Sequence, residues 1–195
     1  MGKQRRGLSF YRKKKKVNKE LVSTAILFGF WTLVMVLIAF VFVYCFGIRT
    51  SVIGVSMEPA LFNGQDVFID RFTYFMSEPK SADVVVFLPN GNENVHYYVK
   101  RVVGLPGDTI IIEDGVLYVN DHAYTDSLIV DKIEEAGIAE NLITLLDDEY
   151  FVIGDNINNS EDSRLSNIGI VKKEYIIGKV WFHLACDKDG MGFVD

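Results

Sequence analysis

Ser56 lies in VSMEPALFNGQDVFID (Val55–Asp70), between the apolar, β-branched run SVIG and a proline turn. DVFID beyond it alternates like a strand, so Ser56 is expected at a strand-to-turn junction. A hydroxyl placed there becomes a nucleophile once a base takes its proton; without a base the stretch is an ordinary loop. It is not a nucleophile elbow, because Glu58-Pro59 replaces the second glycine of Gly-x-Ser-x-Gly.

Two kinds of base are available. A Ser-His-Asp arrangement would draw on His96, His122 or His183, none of which sits in a motif. Lys100 lies in YYVKRVVGLPGD, inside a strand-like run. Alternation places Tyr98, Lys100 and Val102 on one face and Val99, Arg101 and Val103 on the other, so one of the two adjacent basic residues is expected to face an apolar core. An ordinary lysine, with a pKa of about 10.4, is protonated at neutral pH and accepts no proton. Burial penalises the charged form, and lowering the pKa by roughly 3 units costs about 4 kcal/mol. A third stretch, GDNINNSEDSR (Gly154–Arg164), follows the strand YFVI. It fails as a calcium loop, with Ile157 at the third position and Ser160 where glycine is needed. By itself it reads as an Asx-rich turn with a nominal glycosylation sequon at Asn158. Cys45 and Cys186 offer neither a disulfide framework nor a zinc pattern.

The elements that must position these residues are short. Runs of Val, Ile, Phe and Tyr recur at 51–53, 66–70, 83–87, 97–103, 109–112, 116–119, 150–153 and 176–182, separated by turn signals. IIIEDGVLYVN reads as a hairpin closed by Glu113-Asp114-Gly115. Residues 128–146 carry Leu128, Ile129, Ile133, Ile138 and Leu142 at mixed spacing, suited to a short helix or a poorly ordered insertion. The fold expected is mainly β, with antiparallel sheets folded onto one another, a small insertion at about 120–148, and one N-terminal transmembrane helix.

That helix is read from residues 21–47, 27 residues without Asp, Glu, Lys, Arg, His, Asn or Gln. At 1.5 Å per residue they extend roughly 40 Å, more than the roughly 30 Å of a bilayer core. Residues 1–20 hold nine Lys and Arg against one acid, which orients this basic tail to the cytoplasm and residues 48–195 outside the cell membrane. A cleaved export signal would have a shorter apolar run and a small-x-small end; here Tyr44-Cys45-Phe46 closes it, so an uncleaved single-pass anchor is expected. The outer part carries 11 basic against 25 acidic residues, which disfavours nucleic acid as a partner, while the basic tail suits anionic lipid. Phe72, Tyr74, Phe75 and Met76 suit either interface insertion or ordinary core packing.

In order, the apolar segment, SMEPAL, GQDVFID, KRVVGLPGD and GDNINNSEDSR resemble the bacterial type I signal peptidase family over nearly the whole chain. SM-x-P alone is shared with self-cleaving repressors, which lack the anchor and the last box. The resemblance implies a serine endopeptidase with a Ser/Lys dyad that cuts signal peptides from exported precursors after a small-x-small motif, without cofactor or metal. It implies Ser56 as nucleophile and Lys100 as base, with Ser160 orienting the amine and Asp162 and Arg164 as a supporting ion pair. Asp155 and Asn156 match the start of the last box. Ile53, Val55, Met57, Pro59 and Tyr98 are the substrate-binding residues expected, the peptide pairing with an exposed edge at 53–56. Some family members place a serine, as second oxyanion donor, where this chain has Gly54, leaving a backbone or water donor. Ala60 in place of threonine and Ser81-Ala82-Asp83 in place of Arg-Gly-Asp are further departures. The rival reading is an idle or specialised relative acting in pilus or surface-protein assembly.

Overall fold

β-Branched residues at consecutive positions mark strands covered on both faces, and the run Val84–Phe87 shows this. The computed structural model describes residues 19–124 and 131–194; Leu128, Ile129 and most of the basic tail lie outside them. The chain divides into two units, residues 1–41 and 42–195. The described part of the first is helix α1 (Lys19–Phe46), which runs into the second; no residue of α1 is buried, and it is long and apolar enough to cross a membrane.

The second unit is mainly antiparallel β, as expected. Its larger sheet orders β1 (Ile48–Ser51), β2 (Asp66–Asp70), β11 (Ile176–His183), β3 (Val84–Phe87), β4 (Tyr98–Gly104), β9 (Glu149–Ile153) and β10 (Val171–Lys172), with β12 (Gly192–Phe193) also on β11. The smaller sheet orders β7 (His122–Ala123), β6 (Val116–Val119), β5 (Thr109–Glu113) and β8 (Ile143–Thr144). Along β3, Val84 and Val86 pack with Met57, Leu61, Val67 and Val99, while Val85 and Phe87 pack with Val102, Tyr150 and Val152. A third cluster joins the sheets through Val103, Ile110, Leu117, Leu145, Phe151 and Ile153.

Several expectations shift. The first outer strand lies at 48–51 rather than 51–53, so Ser56 opens a turn several residues past the strand end. The β5–β6 hairpin turns on Asp114 and Gly115 alone, at φ 51° and 77°, the pair of positive values that a tight two-residue turn requires. Residues 131–148 hold a 3₁₀ turn (Gly137–Glu140) and β8 rather than an α-helix, and Ile133, Ala139 and Leu145 are buried in the joining cluster. Of the apolar residues with mixed spacing, Ile133 is buried there while Leu142 is exposed. Phe72, Phe75 and Met76 are exposed, whereas Tyr74 packs inward and donates to Asp83 Oδ2 at 2.8 Å.

Candidate active site

Three segments meet at Ser56. The turn 56–61 is closed by Leu61 N–H to Met57 C=O at 2.8 Å and held from below by Met57 and Leu61, both fully buried. The loop after β9 grips the serine backbone: Asn156 N–H donates to Ser56 C=O at 3.0 Å and its side-chain amide to Val55 C=O at 3.1 Å. Strand β4 supplies Lys100, whose Nζ lies 2.6 Å from Ser56 Oγ.

Gly154 sits where these segments press together. A Cβ there would stand against Ser56 C=O and Ser160 Oγ, far inside the 3.0 Å that real Cβ atoms keep. Glycine is therefore a requirement of this close approach.

Alternation predicts only one basic residue of β4 in the interior; the structure buries both, Lys100 at 4% and Arg101 at 2% exposed. The reason is that both faces of the sheet are covered. The two are treated differently. Arg101 meets Asp155 in a two-pronged pair, Nε–Oδ1 2.8 Å and Nη2–Oδ2 2.9 Å, and also donates to Ala82 C=O. Lys100 has no carboxylate within ion-pair distance among the described residues. Burial pushes its pKa down to about 8, against the opposing pull of Asp162, Glu161 and Asp155 and with help from Arg164. One cation is thus paired with a carboxylate and its neighbour is left close to losing its proton.

Asp162 and Arg164 form the expected ion pair, Nε–Oδ1 2.8 Å, both buried. Asp162 also accepts from Gly154 N–H, and Arg164 ties down Ile157 C=O, so this pair braces the loop behind the serine. Ser160 Oγ is buried beside Gly154 without a hydrogen-bond partner among the described residues, so the expected bond to the lysine amine is absent here. Gly54 N–H donates to Asn63 Oδ1 at 2.9 Å and is engaged away from Ser56, whereas Ser56 N–H makes no hydrogen bond among the described residues.

The dyad opens into a cavity of about 380 Å³. Of the expected substrate contacts Ile53, Val55 and Tyr98 line it, and so does Gly54. Met57 and Pro59 do not: the methionine lies in the core, and the proline is exposed outside the lining. Val52, Val99, His96, Tyr97, Asn159 and Glu161 line it as well. Strand alternation assigns Val99 to the opposite face from Lys100, and Asn159 and Glu161 arrive from a loop with no periodicity to read. His96 falls outside β4 and reaches the cavity from the preceding loop, with no hydrogen bond to Ser56. Among the described residues no group of acidic, histidine or cysteine side chains is arranged to hold a metal. A hydroxyl against a dry amine, at the floor of a mostly apolar cavity, is suited to nucleophilic attack on a carbonyl.

Residues 25–185 match the family described as signal peptidase, peptidase S26. Signal peptidase I P of Bacillus subtilis subsp. natto is 38% identical over 132 residues, 64% of this chain and 70% of that protein. Signal peptidase I of Bacillus licheniformis is 33% identical over 136 residues, 66% of this chain and 72% of that one. A crystal structure of a signal peptidase I from Enterococcus faecalis V583 is 26% identical and covers 53% of this chain and 97% of its own, with a TM-score of 0.42, too low to bear on the fold.

Proposed function

The chain belongs to the signal peptidase family, peptidase S26, and from that premise we propose a membrane-anchored endopeptidase that removes signal peptides from exported precursors with Ser56 and Lys100. The observation that carries the reading is the 2.6 Å contact between Ser56 Oγ and a lysine whose amine is buried without a carboxylate partner.

The steps follow from that contact. With the amine neutral, Ser56 O–H donates to Lys100 Nζ, and the oxygen attacks the carbonyl of the residue before the cut as its proton passes to the amine. The oxyanion is met by Ser56 N–H. Lys100 then returns the proton to the departing amine, leaving an acyl-enzyme. Water, losing its proton to the same lysine, hydrolyses the ester and restores the dyad. The Arg101–Asp155 and Asp162–Arg164 pairs keep two further cations occupied beside the neutral amine.

Cleavage after a small-x-small motif fits an apolar cavity walled by Ile53, Val55, Tyr98 and Val99. We place α1 across the bilayer as a single-pass anchor, the N-terminus cytoplasmic and residues 48–195 outside, as the basic tail and acidic remainder favour. The exposed group Phe72, Phe75 and Met76 suits the lipid interface. An idle assembly factor would have no use for an intact dyad.

The test is a purified precursor incubated with the full chain in detergent, the product identified by N-terminal sequencing. One cut after a small-x-small motif is expected, lost in both Ser56→Ala and Lys100→Ala while each variant keeps its circular dichroism. Cleavage that survives either substitution refutes the dyad.

A further inference from the structure

Glu161 contributes nothing to the steps above, yet it lines the cavity that holds Ser56 and Lys100. It is the only carboxylate among the described residues of that lining. Its Oε2 accepts a hydrogen bond from Tyr98 O–H at 3.1 Å, which links the loop after β9 to the first residue of β4. The Tyr98 ring in turn lies 5.6 Å from Lys100 Nζ. The phenol is thus committed to Glu161, while the second carboxylate oxygen has no partner and Glu161 joins no ion pair among the described residues. The side chain is exposed. A negative charge here also favours the protonated amine, so it works against the base. An acid that opposes the chemistry, is fixed by a phenol and faces the substrate has its use in binding.

We propose that Glu161 is a specificity-determining residue, its Tyr98-anchored carboxylate recognising a basic side chain of the precursor next to the scissile bond. The inference rests on the peptidase reading and names a substrate class within it. Small residues fill the cavity itself; the basic side chain belongs to a neighbouring position, whose extended backbone turns it toward the rim. Tyr98 is a positioning residue, acting through Glu161.

The experiment uses the full chain in detergent and synthetic precursor peptides that differ only in carrying Lys, Gln or Glu at each non-small position flanking the cut. kcat/KM is measured for the parent, Glu161→Gln and Glu161→Lys at low and high salt. At one position the parent should favour Lys over Glu by about fivefold, the size of an exposed ion pair. Glu161→Gln should erase the ratio, Glu161→Lys should invert it, and added salt should shrink it. A carboxylate that merely props Tyr98 would lower all peptides equally. Ratios unchanged in Glu161→Gln overturn the inference, whether or not the Lys variant folds. Charge-blind cleavage that still needs Ser56 overturns this inference alone, whereas cleavage by Ser56→Ala overturns the peptidase reading instead.

Discussion

The burial that would make Lys100 a base must also weaken the fold, and one substitution measures both effects. With a pKa of about 8 in place of 10.5, roughly a tenth of the amine is neutral at pH 7, against about 0.03% for an ordinary lysine. That is an advantage of about 300-fold in available base. log kcat/KM should rise with unit slope below pH 8 and flatten above it, since this parameter reports the free enzyme. The same shift has a sign in stability. The folded pKa lies below the unfolded one, so between pH 8 and 10.5 the unfolded chain holds the extra proton, and stability rises with pH across that window. Below pH 8 the full penalty applies, about 3 kcal/mol at 1.36 per unit. Lys100→Met removes the titrating group. Its stability relative to the parent should therefore improve by about 3 kcal/mol on going from above pH 10.5 to below pH 8, while cleavage is lost throughout. The tyrosines Tyr74 and Tyr150, both pushed up chiefly by burial, act oppositely above pH 10, where their unfolded phenols ionise first; being common to both proteins, they cancel. The assay is a peptide-cleavage profile from about pH 6 to 10 beside denaturant unfolding from about pH 6 to 11 in the same detergent. A rate still climbing at pH 10, with a stability difference flat in pH, would refute a dry lysine.

Two further substitutions test the supports. Gly154→Ala sets a methyl against Ser56 C=O and Ser160 Oγ; displacing the nucleophile by an ångström should cost about 100-fold in kcat with the melting transition retained, and full activity would show that the loop yields. Asp155→Asn leaves the buried Arg101 guanidinium without its counter-charge and should destabilise by about 3–5 kcal/mol in denaturant unfolding. Adding Arg101→Met should recover part of that loss, since methionine leaves no stranded charge beside the introduced asparagine amide.

The sequence carried the parts of this protein that depend on residue type and near neighbours. An uncharged run of 27 residues is a helix suited to lipid whatever follows it. DVFID and VLYV match their strands to the residue, and the Ser56–Lys100 contact and the Asp162–Arg164 pair could be named from three short boxes. What depends on contacts between distant segments was not legible. Alternation predicts one buried cation on β4; only the second layer over the sheet buries both, and only a loop 54 residues away supplies the carboxylate that pairs with Arg101, while Lys100 is left without one among the described residues. Met57 looked like a cavity wall and proved to be its foundation, because its turn folds over the core. Gly54 looked like the place of a vacant donor, yet Asn63 already holds its N–H. The difference is physical: hydrophobicity and turn chemistry act along the chain, but the protonation state of an amine is set by what surrounds it in space.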